Sequence, residues 1–106
     1  MANWFFTRTV NAASGTLSTT FVQLNSSITQ QVRVQFLAVA NVTMVKAASA
    51  GDATSENNND NRYLAAANLT QSIVCNPSTT WVRNDSVTTT SSLYCIAWTL
   101  ENQDLA

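Results

Sequence analysis

The segment QVRVQFLAVANVTMVK, residues 31–46, decides how this chain is read. Val32, Val34, Phe36 and Ala38 alternate with Arg33 and Gln35, which is the period-two pattern of a β-strand with one face in a core. Over residues 37–45 the polar members fade, so both faces are expected to be covered there. The stretch is either one long strand or two shorter ones folding back near Ala40 and Asn41. Asn accepts the left-handed backbone that a tight turn can demand, so a hairpin at Asn41 is the favoured expectation.

Upstream, Trp4, Phe6 and Arg8 alternate with Phe5, Thr7 and Thr9, an opening strand with aromatics on both sides. So many adjacent rings need burial, either in the domain's own core or, as an arm of residues 1–10, against a neighbouring subunit. Residues 11–15 read as a turn with Gly15 at positive φ. TLSTTFVQL, residues 16–24, has strand composition and ends at the turn Asn25-Ser26-Ser27.

Downstream, residues 47–61 (AASAGDATSENNNDN) are small and polar and read as a long exposed loop, reaching to about 62, of the kind that often carries binding. Asp52, Glu56 and Asp60 offer oxygen ligands, but their spacing matches no calcium loop, so no metal is expected. RYLAAAN, residues 62–68, suits a short helix or turn because Leu64 and the alanines favour it. Next, Leu69, Gln71, Ile73 and Cys75 share one side of a strand and Thr70, Ser72 and Val74 the other, until Asn76-Pro77-Ser78 stops it. Residues 79–83 form a short strand carrying Trp81, turned by Asn84-Asp85-Ser86. In LYCIAWTL, residues 93–100, Leu93, Cys95 and Ala97 face one way and Tyr94, Ile96 and Trp98 the other. Both faces are apolar, so this strand is central or meets another chain. Residues 101–106 read as a polar tail.

At 106 residues the chain is expected to be a single domain, 1–106. Five basic against six acidic residues leave a net charge of −1, which favours neither nucleic acid nor an anionic membrane surface. Charged residues are 10% of the chain, below half the usual share, and polarity comes instead from Ser, Thr, Asn and Gln. Such residues can face another protein without the desolvation cost of full charges. Short strands recur between turn signals with no long amphipathic helix. The fold class read from this pattern is all-β: a single antiparallel β-sandwich, jelly-roll-like.

Chemistry is sparse. The absence of His removes the imidazole base and the commonest zinc ligand. Gly15 and Gly51 are too far apart for a phosphate loop, and the acids fall in the loop, a turn and the tail. No enzyme activity and no cofactor are expected. Met1 is followed by Ala-Asn-Trp-Phe-Phe with no secretory pattern, and no stretch has membrane-spanning length, so synthesis in the cytoplasm without a signal peptide is expected. Cys75 and Cys95 then read as buried thiols more readily than as a disulfide. Asn-X-Ser/Thr at Asn25, Asn41, Asn68 and Asn84 is what a chain rich in these residues produces by chance. Trp81, Tyr94 and Trp98 are read as core or interface residues ahead of a sugar-stacking platform.

FVQL (21–24), QVRVQFLAVANVTMVKA (31–47), YLAAANLTQSIVC (63–75) and TWVRNDSVTTTSSLYCIAWTLE (80–101) resemble, in that order, the small β-sandwich structural proteins of tailed bacteriophages. In these a strand leads into a hairpin turned at Asn, then a loop, a strand and a closing hairpin with aromatics. The chain departs from them in having Ala66-Ala67-Asn68 where a Gly-containing turn is more familiar, and in the length of its 47–61 loop. The resemblance implies a virion protein that decorates or cements the head shell, usually as a trimer at junctions between major capsid subunits. Others of this kind sit in tail or spike assemblies. The implied partners are the major capsid protein and further copies of the chain, with no nucleic acid and no membrane. Candidate interface residues are Trp4, Phe5, Phe6, Tyr94 and Trp98; in a tail or spike setting, Trp81 and Trp98 would contact glycan.

Overall fold

The computed structural model describes residues 3–11 and 20–100. The expected turn with Gly15, the start of the 16–24 strand and the polar tail lie outside the described residues. The strands are β1 (Asn3–Val10), β2 (Val22–Gln23), β3 (Val32–Ala38), β4 (Val42–Lys46), β5 (Tyr63–Ala65), β6 (Thr70–Cys75), β7 (Thr80–Asn84) and β8 (Ser91–Thr99). They form two antiparallel sheets, β1-β8-β3-β6 and β2-β7-β4-β5. Every connection except β4 to β5 passes from one sheet to the other. This is the two-sheet arrangement of a jelly roll, so the all-β antiparallel sandwich is the observed fold.

Two connections differ from the expected hairpins. β3 and β4 lie in different sheets, so the segment around Asn41 is a crossing between layers and not a hairpin. The crossing lets Val32, Val34 and Phe36 face Val42 and Met44 across one core, which a hairpin within a sheet would not do. It is pinned by Val39 N–H to Ser92 O (3.1 Å), Ala40 N–H to Ser91 Oγ (3.1 Å) and Asp85 N–H to Asn41 O (2.9 Å). The expected closing hairpin is also a crossing, since β7 and β8 belong to different sheets. Among the described residues the non-glycine positions with positive φ are Asp60 (62°) and Asn68 (61°), not Asn41.

Residues 47–61 hold a helix, α1 (Ala50–Asn58), where an exposed loop was expected. Ser49 caps it, its Oγ accepting Asp52 N–H at 3.2 Å, and Asp52 in the first turn suits the helix dipole. Ala53 is fully buried against Val45 and Phe21, with Trp81 beside them, forming a small second core outside the sheet. Of the short helix or turn expected at 62–68, residues 63–65 are instead β5, paired with β4 from Val42–Ala65 to Met44–Tyr63, and a turn follows at Ala67 and Asn68. Backbone pairing at the sheet edge outweighs the helical preference of its alanines.

The main core lies between the sheets. Val32, Val34, Phe36 and Ala38 meet Leu93, Cys95 and Ala97 within the first sheet and Val42, Met44 and Val82 of the second. Leu24 and Ile28 close one side. Each of the large buried side chains contributes roughly 1.5–3 kcal/mol of transfer free energy. All of β4 but Lys46 is buried, as the fading alternation implied.

Candidate functional site on the outer sheet face

The outer face of β1-β8-β3-β6 presents three cross-strand rows. Phe5 stands beside Ile96, then Gln35 and Ser72; Thr7 beside Tyr94, then Leu37 and Thr70; Asn3 beside Trp98, then Arg33 and Val74. The rows follow from the period-two geometry: Trp4, Phe6, Cys95, Ala97, Val34 and Phe36 take the inner face, which forces their neighbours outward. Phe5 is 75% exposed, Tyr94 54% and Ile96 40%. Arg33 is the single charged side chain in these rows, and its Nη1 reaches Ser72 Oγ at 3.4 Å. Two shallow grooves flank β8. One of about 400 Å³ lies by Phe5, Thr7, Tyr94 and Ile96. The other, of about 170 Å³, lies by Gln35, Leu37, Thr70, Tyr94 and Ile96.

The predicted interface residues divide between the two faces. Phe5, Tyr94 and Trp98 share the outer face, whereas Trp4 and Phe6 turn inward and pack, half-buried, against the core. Trp81 is on the other sheet, beneath α1, with its indole N–H donating to Ala47 O at 2.9 Å. Trp81 and Trp98 therefore lie on opposite outer faces of the sandwich and share no surface. The sequence reading did not include Ile96, Leu37 and Val74 among the site residues. The parity of Leu37 against Phe36, and of Val74 against Cys75, was the available signal.

Charged chemistry gathers elsewhere. On the outside of the second sheet, Asp85 Oδ1 accepts from Arg83 Nη2 at 3.1 Å and its Oδ2 from Thr43 Oγ1 at 2.6 Å, while the guanidinium lies 5.5 Å from the Phe21 ring centre. This network covers Thr43 and braces β4 against β7. Each of its polar groups is engaged with another, which suits a structural role. Among the described residues no three His, Cys, Asp or Glu side chains converge in a metal-binding group.

Cys75 and Cys95 are free thiols. They project from strands on either side of β3, Cys75 opposite Val32 and Cys95 opposite Phe36, so no disulfide joins them. Burial pushes the Cys95 thiol up to about 12, with the charge of Cys75 adding to the shift and that of Arg8 opposing it. Burial also raises Cys75, against a lowering hydrogen bond with Thr80. Thiols held protonated in this way are poor nucleophiles.

No protein-family model matches the chain, and no curated protein or solved structure is significantly similar to it. Among the described residues no helix is long and apolar enough to cross a membrane.

Proposed function

We propose that this chain is a non-catalytic structural protein of a virus particle, a decoration or cement protein that binds the major capsid protein of a phage head shell. The observation that carries the reading is the apolar cluster of Phe5, Tyr94, Ile96, Leu37 and Trp98 on an outer face whose rows hold a single charge, Arg33. A contiguous apolar surface on a small domain marks a place where another protein sits. Jelly rolls serve viral capsid proteins, but also lectins and cupins, so the topology is compatible with the reading and does not select it. The order of the sequence segments that resemble phage structural proteins supplies the context of a shell.

In this reading the shell contact spreads along β8 and β3, with Tyr94 and Ile96 as anchors between the two grooves. The test is cosedimentation of purified protein with head shells. The wild-type protein should pellet with shells at a fixed copy number. Tyr94→Lys combined with Ile96→Lys, both at exposed positions, should abolish cosedimentation with the circular dichroism spectrum unchanged. Absence of wild-type binding, or full binding by the double variant, defeats the proposal.

A further inference from the structure

Among the described residues β1 is an edge strand of eight residues with β8 on one side only. The other edges are shorter or closed. β2 and β5 are two and three residues long. β6 is tied across to β5 by Tyr63 Oη to Gln71 Oε1 (2.6 Å) and by Gln71 Nε2 to Ala66 O (3.1 Å), and it ends before Pro77. On β1, Arg8 closes the C-terminal end, its Nε donating to Leu24 O of the second layer at 3.0 Å. Residues 3–7 carry none of the usual guards of an edge: no proline, no charge, and an unbroken register with β8.

We propose that a second copy of this chain pairs antiparallel with β1 over residues 3–7, joining two β1-β8-β3-β6 sheets into one about a two-fold axis at Phe5. Opposite residues in an antiparallel pair share a face, and a two-fold axis normal to the sheet sets one residue opposite its own copy. Centred on Phe5, the pairing places Phe5 against Phe5 on the outer face and Trp4 against Phe6 of the copy on the inner face. Asn3 meets Thr7, and Arg8 falls outside. Centring on Phe6 would oppose Phe5 to Thr7 and Trp4 to Arg8; centring on Trp4 would oppose Phe5 to Asn3.

Only the Phe5 register uses all three consecutive aromatics. It covers Phe5, 75% exposed in the single chain, and extends the core over Trp4 and Phe6, which are half-buried in the single chain. The occupant is a second copy because an antiparallel edge presents donors and acceptors in the order its own two-fold mate requires, and residues 3–7 bring no like charges together. The inference does not rest on the shell-binding reading, since Tyr94, Leu37 and Trp98 stay open on both copies.

Light scattering on the purified chain tests it. The wild-type protein should have twice the single-chain mass. Phe5→Lys, which sets two ammonium groups face to face at a site exposed in the single chain, should have the single-chain mass. Phe5→Cys should form a cross-linked pair on mild oxidation, and Thr9→Cys, far from its copy in this register, should not. A wild-type mass of one or three chains, a Phe5→Lys protein that keeps the wild-type mass, or equal cross-linking at Phe5→Cys and Thr9→Cys overturns the proposal.

Discussion

Asn84 is wholly buried, yet each of its polar atoms is used. Nδ2 donates to Val10 O and Thr89 O, both at 2.8 Å, and Oδ1 accepts Ser86 N–H at 2.7 Å. Asn25 and Asn76 accept the N–H of Ser27 and Ser78 in the same way, at 2.8 and 3.0 Å. These Asx turns explain why Asn stands two residues before Ser at places the sequence already marked as turns. Asn41 accepts Ala67 N–H at 2.7 Å, and Asn68 takes the left-handed backbone that a glycine would otherwise supply. The local half of each role was legible. The distant half, such as the bond from Asn84 to Val10, was not, because nothing in a sequence says which strand end will lie beside a turn.

Cys95 gives a pH test at the same scale. Folding raises its thiol from an ordinary value of 9.0 to about 12, so the folded chain holds the proton more tightly than the unfolded one. The resulting stabilisation is whole below pH 9 and is lost as pH rises toward 12. Unfolding free energy should fall across that window by up to about 1.4 kcal/mol per pH unit for this thiol. Cys95→Ala should flatten the slope measured by urea denaturation. Identical slopes for the two proteins would show that the thiol does not titrate as described.

Among the elements, α1 was the one most hidden. Its Ser49-x-x-Asp52 start is a helix signal, but a run of Asn, Ser, Thr and Asp is poor helix material and masked it. Such a short helix is marginal by itself and stands because Ala53 is docked on Val45 and Phe21. Gly51 sits in its first turn, where an added Cβ would meet only Ser49 Oγ, at 3.9 Å. Gly51→Ala should therefore raise stability by about 0.5–1 kcal/mol in chemical denaturation, through reduced freedom of the unfolded chain. A loss of stability would mean that the helix is not formed as described. β5 carried the opposite disguise, alanines with helical preference placed at a sheet edge.

For the whole molecule, alternation told which residues of a strand share a face and that the chain is a sandwich. It sorted the residues of β1, β3, β6 and β8 into the two faces observed, but it named the core face for β3 alone, and Trp4 and Phe6, offered as interface residues, pack against the core. Period two cannot tell a strand's neighbours, and both expected hairpins proved to be passages between layers. The outer face of β8 was legible because its residues are apolar on both parities. The flanking contributions of Leu37 and Val74 emerged only once β3 and β6 were known to lie on the same side of β8.

The place of β8 also has a consequence for synthesis. It is the last of the described strands and sits between β1 and β3, so on the ribosome the first strand waits for its hydrogen-bonding mate until residues 91–99 have emerged. A nascent chain arrested before residue 91 should be cut readily by added protease, while one whose β8 has cleared the exit tunnel should become resistant in one step. A resistant fragment lacking β8 would contradict this. The exposed interval, with the aromatic first strand unpaired, is when chaperones would be expected to hold the polypeptide.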